Sequence, residues 1–212
     1  MAIKTWAKML DDIAPDLPQC PIALIEHQLR KTTIALCTDS GAYRVDCDAM
    51  DIVSGESEQD LDLPTQTELV GVVDMTLDGN PVTPIDTATL SRQSPSWRTD
   101  AGTPTNYYGT GGDTVRLYPI PNATLTAKLY ATVQVRPIET ADGIEAWVYR
   151  KYGDGIVAGA KAELKAMLGK PWSDPAKVAM LRADYERTKA DAVSDGVRSH
   201  TNTARRVVPC SM

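Results

Sequence analysis

The side chains able to do chemistry in this 212-residue chain are few. Histidine occurs twice. His27 lies beside Glu26 in an apparent helix, where a structural or surface role is favoured. His200 lies in a polar C-terminal stretch and reads as solvated. Two histidines leave little from which to build a His-rich metal site or a catalytic triad, and no G-x-S-x-G elbow is present. Cys20, Cys37, Cys47 and Cys210 have no C-x-x-C spacing, so they read as reduced thiols, the inner ones as small buried hydrophobes. Gly109-Thr110-Gly111-Gly112-Asp113 lacks the Gly-Lys-Ser/Thr ending of a phosphate loop and reads as a hairpin tip. Asp46, Asp48 and Asp51 precede Glu56, Glu58, Asp60 and Asp62. Asp46 and Asp48 share a strand face and could take a hard cation, but the spacing is not that of an EF-hand loop. A solvated acidic face is the favoured reading. A small metal-dependent enzyme is the alternative it leaves open. No cofactor is expected.

Composition narrows the classes further. Hydrophobic residues make up 42% and charged residues 24%, which suits a folded protein of one large or two small domains. There are 22 Lys and Arg against 28 Asp and Glu, a formal charge of −6. A protein that grips nucleic acid through its phosphates needs the opposite balance. No apolar run of about 18 residues or more is present, so no membrane-spanning helix is expected. The opening Met1-Ala2-Ile3-Lys4-Thr5-Trp6-Ala7-Lys8 lacks the layout of a secretory signal. Phe is absent, whereas Tyr occurs 8 times and Trp 4 times, so the aromatic anchors carry polar handles.

The elements that would position these residues run helix, strand, helix. Trp6, Met9, Leu10 and Ile13 predict a helix over 3–14, ended by Ala14-Pro15. A second helix starts near Pro21, with the stripe Ile22, Ile25, Leu29 and Leu36, and closes at Ser40-Gly41. From Tyr43 the period becomes two, and the slip onto Met50 and Ile52 fits a bulge. Leu69 to Leu77 is a strand ending in the turn Asp78-Gly79-Asn80. Val82 and Ile85 begin a returning strand. Residues 91–113 read as a long loop or hairpin tip holding Trp97, Tyr107 and Tyr108. Leu125 to Val135 is the clearest strand, expected to pair with Thr114 to Tyr118 across Pro119-Ile120-Pro121-Asn122.

The last section is helical again. Ile144, Val148, Tyr152, Ile156, Ala160, Leu164 and Leu168 recur every fourth residue. Gly153, Gly155 and Gly159 interrupt that line, implying either close backbone packing or a break at Gly153–Gly155. Gly169-Lys170-Pro171 ends the helix. Ser173 or Asp174 caps the next one, whose stripe is Val178, Leu181, Tyr185, Thr188 and Ala192. Arg182 to Glu186 and Arg187 to Asp191 are expected as i,i+4 pairs. Gly196 stops it, leaving a polar tail over 197–212. The fold class is therefore α+β, with segments 1–41, 42–137, 138–196 and 197–212.

The run Gly159-Ala160-Lys161-Ala162-Glu163-Leu164-Lys165-Ala166-Met167-Leu168-Gly169-Lys170-Pro171-Trp172-Ser173-Asp174-Pro175 resembles a segment of the tailed-bacteriophage head-to-tail adaptor (connector) proteins. Val115-Arg116-Leu117-Tyr118-Pro119-Ile120-Pro121 and Val133-Gln134-Val135-Arg136-Pro137 resemble that family's strands. The resemblance covers roughly 20–198. It implies a bundle of N- and C-terminal helices around a β-rich insertion, and no catalytic residues. It implies a ring, typically twelve-fold, beneath the portal protein, with the tail or nozzle protein on its other face and DNA passing through non-specifically. The location implied is the virion neck, after synthesis in the host cytoplasm. On that reading Arg198, His200, Arg205 and Arg206 are candidates for the portal interface. Trp97, Tyr107 and Tyr108 are candidates for the tail side, and Gly159, Leu164 and Trp172 for helix packing. A stopper or other tail-completion protein is the alternative within the same class.

Overall fold

A computed structural model of the protein describes residues 2–198, the side chains at 110 and 111 apart. The chain divides into two compact units. One is continuous, Arg44–Ile138. The other joins the flanking segments, Met1–Tyr43 and Glu139–Met212, and is described over 2–43 and 139–198.

The first flanking segment opens with a strand, not the expected helix. β1 (Ile3–Thr5) leads into a single turn, α1 (Trp6–Met9), and two 3-10 turns at Leu10–Asp12 and Ala14–Asp16. The residues behind the helical reading are nevertheless internal: Trp6, Met9 and Ile13 are buried. α2 (Ile22–Ser40) follows and ends at Gly41 with φ +63°, a conformation that suits glycine. Its stripe starts at Ile25, because Ile22 is 61% exposed. Buried hydroxyls along this stripe stay satisfied: Thr33 donates to the Leu29 carbonyl at 2.8 Å and Ser40 to that of Leu36 at 2.7 Å.

The continuous unit holds β2 (Arg44–Asp46), β3 (Met50–Ile52), β4 (Glu58–Asp60), β5 (Thr67–Leu77), β6 (Asn80–Pro81), β7 (Thr83–Pro84), α3 (Thr87–Gln93), β8 (Ala101–Gly102), β9 (Asn106–Gly111), β10 (Thr114–Tyr118), β11 (Ile120–Pro121) and β12 (Leu125–Pro137). β12 is the hub. It pairs antiparallel with β5 along nine registered positions, and with β2 and β3 on its other side. Leu129, Ala131, Val133 and Val135 turn inward from it. Asp78 and Gly79 both take positive φ, the two-residue turn whose twist suits a hairpin.

One expectation fails here, and one of two alternatives falls away. β10 does not pair with β12 but lies in a second sheet, ordered β4-β10-β9-β7. Pro119 and Pro121 lack the N–H groups of a tight hairpin. β11 pairs instead in parallel with β8. Of the two readings of 91–113, the long loop does not hold, since α3 and β9 occupy both its ends, while the hairpin tip does, β9 and β10 pairing antiparallel across Gly112-Asp113. Asp86 caps α3 by accepting the Thr89 backbone N–H at 2.8 Å.

Ala127 holds φ +52° within β12, where its backbone N–H donates to the Asp51 carboxylate at 2.7 Å. A Cβ in that region costs about 1 kcal/mol, which glycine avoids. Ala127→Gly is therefore expected to raise stability by about 0.5–1 kcal/mol in a denaturant titration.

The chain then returns to the first unit with β13 (Gly143–Glu145), α4 (Ala146–Lys165) and α5 (Pro175–Val197). β13 pairs antiparallel with β1. α4 runs unbroken through Gly153 and Gly155, so the alternative of a break there does not occur. Val148, Tyr152, Ile156, Ala160 and Leu164 are all buried, as their spacing predicts, but Leu168 lies past the helix and is 79% exposed.

Candidate functional site

The geometry of the helical unit is set by where side chains are missing. α5 lies along α4, and a Cβ on Gly155 would come within 2.3 Å of Thr188. At Gly159 it would meet Tyr185 at 2.7 Å and Thr32 of α2 at 2.8 Å, and at Gly196 the carbonyls of Ser40 and Gly41 at 3.0 Å. The glycines thus let three helices approach. Leu164 is fully buried and Trp172 nearly so. Gly159, Leu164 and Trp172 all lie inside this one unit.

Polar clasps hold the same helices. Asp195 takes Lys151 at 2.8 Å and the Tyr152 hydroxyl at 3.0 Å. Burial and the Asp195 carboxylate push the Tyr152 phenol well above its usual range. Asp16 accepts the Lys161 ammonium at 2.6 Å, and the largely buried Lys165 donates to the Asp16 carbonyl at 3.0 Å. The Lys161 hydrogen bond holds the Asp16 carboxyl below the usual carboxylate range. Arg182 pairs with Glu163 of α4 at 3.1 Å, and Arg187 with Asp184 at 3.5 Å. The i,i+4 pairs expected from spacing are replaced by these, because a partner on the neighbouring helix is available to Arg182.

Of the four portal-side candidates, one is described, at the end of α5. Arg198 is exposed just beyond it and lines a small cleft with Lys151, Asp191 and Asp195. His200, Arg205 and Arg206 lie outside the described residues.

In the continuous unit, two of the three aromatic candidates, Trp97 and Tyr108, pack together, and β9 carries both tyrosines. Trp97 is 5% exposed, stands edge-on to Tyr108 at 5.2 Å, and donates its indole N–H to Ser91 at 3.1 Å. The Arg98 guanidinium covers its ring at 4.5 Å. Tyr107 is also buried. Of the three, only Tyr108 is partly exposed, and Trp97 supports its ring from beneath.

The acidic residues are handled one at a time. Asp46 accepts the Thr132 hydroxyl at 2.6 Å, Asp51 holds the Ala127 N–H, and Glu58 pairs with Arg116 at 3.0 Å. Among the described residues no three His, Cys, Asp or Glu come together as a set that could hold a metal ion. Cys47 is buried near Asp62, Asp46 and Asp48, and burial first, then those charges, raise its thiol pKa. Burial alone pushes Cys37 up to about 12. Neither is an activated thiolate. Among the described residues no helix is long and apolar enough to cross a membrane.

Sequence reasoning missed how the charge is divided. From 45 to 91 there are eleven acidic residues and no Lys or Arg. The continuous unit carries thirteen acidic against six basic residues, a charge of −7, and the rest of the chain is close to neutral. A count per segment would have found it.

Compared with known proteins, the sequence matches the family model of the SU10 adaptor protein over residues 4–208. No curated protein matches it.

Proposed function

Because the chain belongs to the SU10 adaptor protein family, we propose that it is the structural head-to-tail adaptor of a tailed bacteriophage. On this reading twelve copies form a ring at the particle neck, with the portal protein on one face and the tail or nozzle protein on the other. The ring continues the DNA channel, and the protein works in the virion without catalysis. The observation that carries the reading is the family match across nearly the whole chain.

The charge division supports it. Twelve copies at −6 carry −72. Acidic groups along a bore would repel passing DNA and leave it free to slide. The segments 1–41 and 138–196 are proposed as the bundle, 42–137 as the insertion, and 197–212 as the extension that reaches the portal. The tail-side contact is assigned to the surface around Tyr108.

The test is electron microscopy of purified particle necks, with mass spectrometry and cross-linking to the portal. A ring of this protein directly beneath the portal is expected. A position further down, without portal cross-links, would make it a stopper, and absence from particles would end the structural reading. Removing residues 199–212 leaves α5 whole and is expected to weaken capture by the portal by about tenfold or more, a loss of some 1.4 kcal/mol. Unchanged capture in a pull-down would take the tail out of the interface.

A further inference from the structure

Among the described residues, two faces of the helical unit have no partner within it. Of the 23 residues of α5, only Ala192 and Gly196 are buried. Its outer face presents Ala176, Met180, Ala183, Arg187 and Ala190 at helical spacing, with Met180 59% exposed. On α4, an open groove of about 720 Å³ runs over Ala146, Gly153 and Val157. α5 contributes Leu181 to the groove wall. That residue stands about 100° round the helix from Met180, so the outer face of α5 is directed elsewhere.

The charges on the two faces select an occupant and an orientation. Arg150 and Asp154 lie one turn apart along the groove, and neither has an ion-pair partner among the described residues. Arg187 and Asp191 lie one turn apart on α5. Asp191 likewise has no ion-pair partner among the described residues, and Arg187 touches Asp184 only at 3.5 Å with 73% of its side chain exposed. If a second α5 lies antiparallel in the groove, Arg150 meets Asp191 and Asp154 meets Arg187. In the parallel orientation Arg150 meets Arg187, and like charges oppose. Small residues on both faces let the backbones come close, and rim charges of this kind fix register more than affinity.

We propose that the outer face of α5 docks antiparallel into the α4 groove of a second copy of this chain. The inference rests on the self-association proposed above and names the surface that makes it. Because ridge and groove are different faces, the contact is head to tail, and repeating it yields a closed ring when the rotation permits.

The test uses the full chain assembled on the portal, with Asp154→Cys and Arg187→Cys introduced separately and together. Mild oxidation is expected to give a ladder of covalent multimers from the double variant and from neither single one. As a second readout, Arg150→Asp and Asp191→Arg are each expected to weaken self-association about tenfold, and the two together to restore it. Rings seen by microscopy without a ladder or a rescue overturn this interface and leave the ring reading standing. A wild-type complex without rings overturns both.

Discussion

Replacing Gly155 by alanine is expected to destabilise the helical unit by about 1–2 kcal/mol, although alanine is the better helix former by about 1 kcal/mol. The reason is the partner it would meet. A Cβ at 155 would stand 2.3 Å from both the Cβ and the Oγ1 of Thr188, and 2.5 Å from its Cγ2. These atoms sit at the root of a branched side chain, which has no rotamer that clears the space. Relief therefore requires α5 to move off α4, and that loosens the contacts of Tyr185 and Ala192 as well. Overpacking of this kind costs about 1–3 kcal/mol before relaxation. Denaturant titration of the variant measures the net effect, and Thr188→Gly in the same chain should recover most of it. Gly71 of β5 provides the contrast: nothing lies within 4 Å of its would-be Cβ and its φ is not positive. Gly71→Ala should be neutral or stabilising. A Gly155→Ala protein as stable as its parent would mean the two helices do not approach this closely.

That contrast also shows what the sequence could and could not disclose. The 3.6-residue period over Val148 to Leu164 identified a buried helix face because the pattern and its consequence lie on the same twenty residues. The glycines inside it signalled close packing, but not against what. Thr188 and Tyr185 are their partners across a chain turn, and nothing local marks them. The same limit explains the errors. Ile3–Thr5 becomes a strand because Gly143–Glu145 is there to pair with it, some 140 residues on. Thr114–Tyr118 takes partners at 58–60 and 106–111 instead of the expected strand from Leu125. Arg182 prefers Glu163 on the next helix over Glu186 on its own. Of the surface residues, Trp97 read as a loop aromatic because its surroundings are Ser- and Thr-rich. One of those very residues, Ser91, receives its indole N–H and helps to bury it. The charge division was fully legible, since it requires only counting. The groove on α4 was not, because an open face is defined by the elements that fail to cover it.

Trp6→Ala is expected to remove about 3–5 kcal/mol, a large share of the roughly 5–15 kcal/mol that holds an ordinary domain folded. Trp6 is 3% exposed, is tied to the returning segment by two hydrogen bonds, and is covered by one residue of its own segment. Its indole N–H donates to the Ala141 carbonyl at 2.6 Å, its backbone N–H donates to the Asp142 carbonyl at 3.0 Å, and the Arg30 guanidinium lies 6.0 Å above its ring. Truncation removes the ring and leaves the Ala141 carbonyl buried without its donor. Trp6→Phe separates the two effects: it keeps an apolar ring and loses only the hydrogen bond, so its cost should fall to about 1–3 kcal/mol. The segment that Trp6 fastens also carries Lys4 and Asp12 to the α4 groove, where Lys4 lies 5.1 Å over the Tyr149 ring and Asp12 accepts the Tyr149 hydroxyl at 2.7 Å. A folded Trp6→Phe protein is therefore expected to self-associate more weakly than wild type, in proportion to how far that segment loosens. Denaturant titration and sedimentation on the same sample measure both effects together. Loss of stability with self-association intact would place the second copy's contact away from this groove.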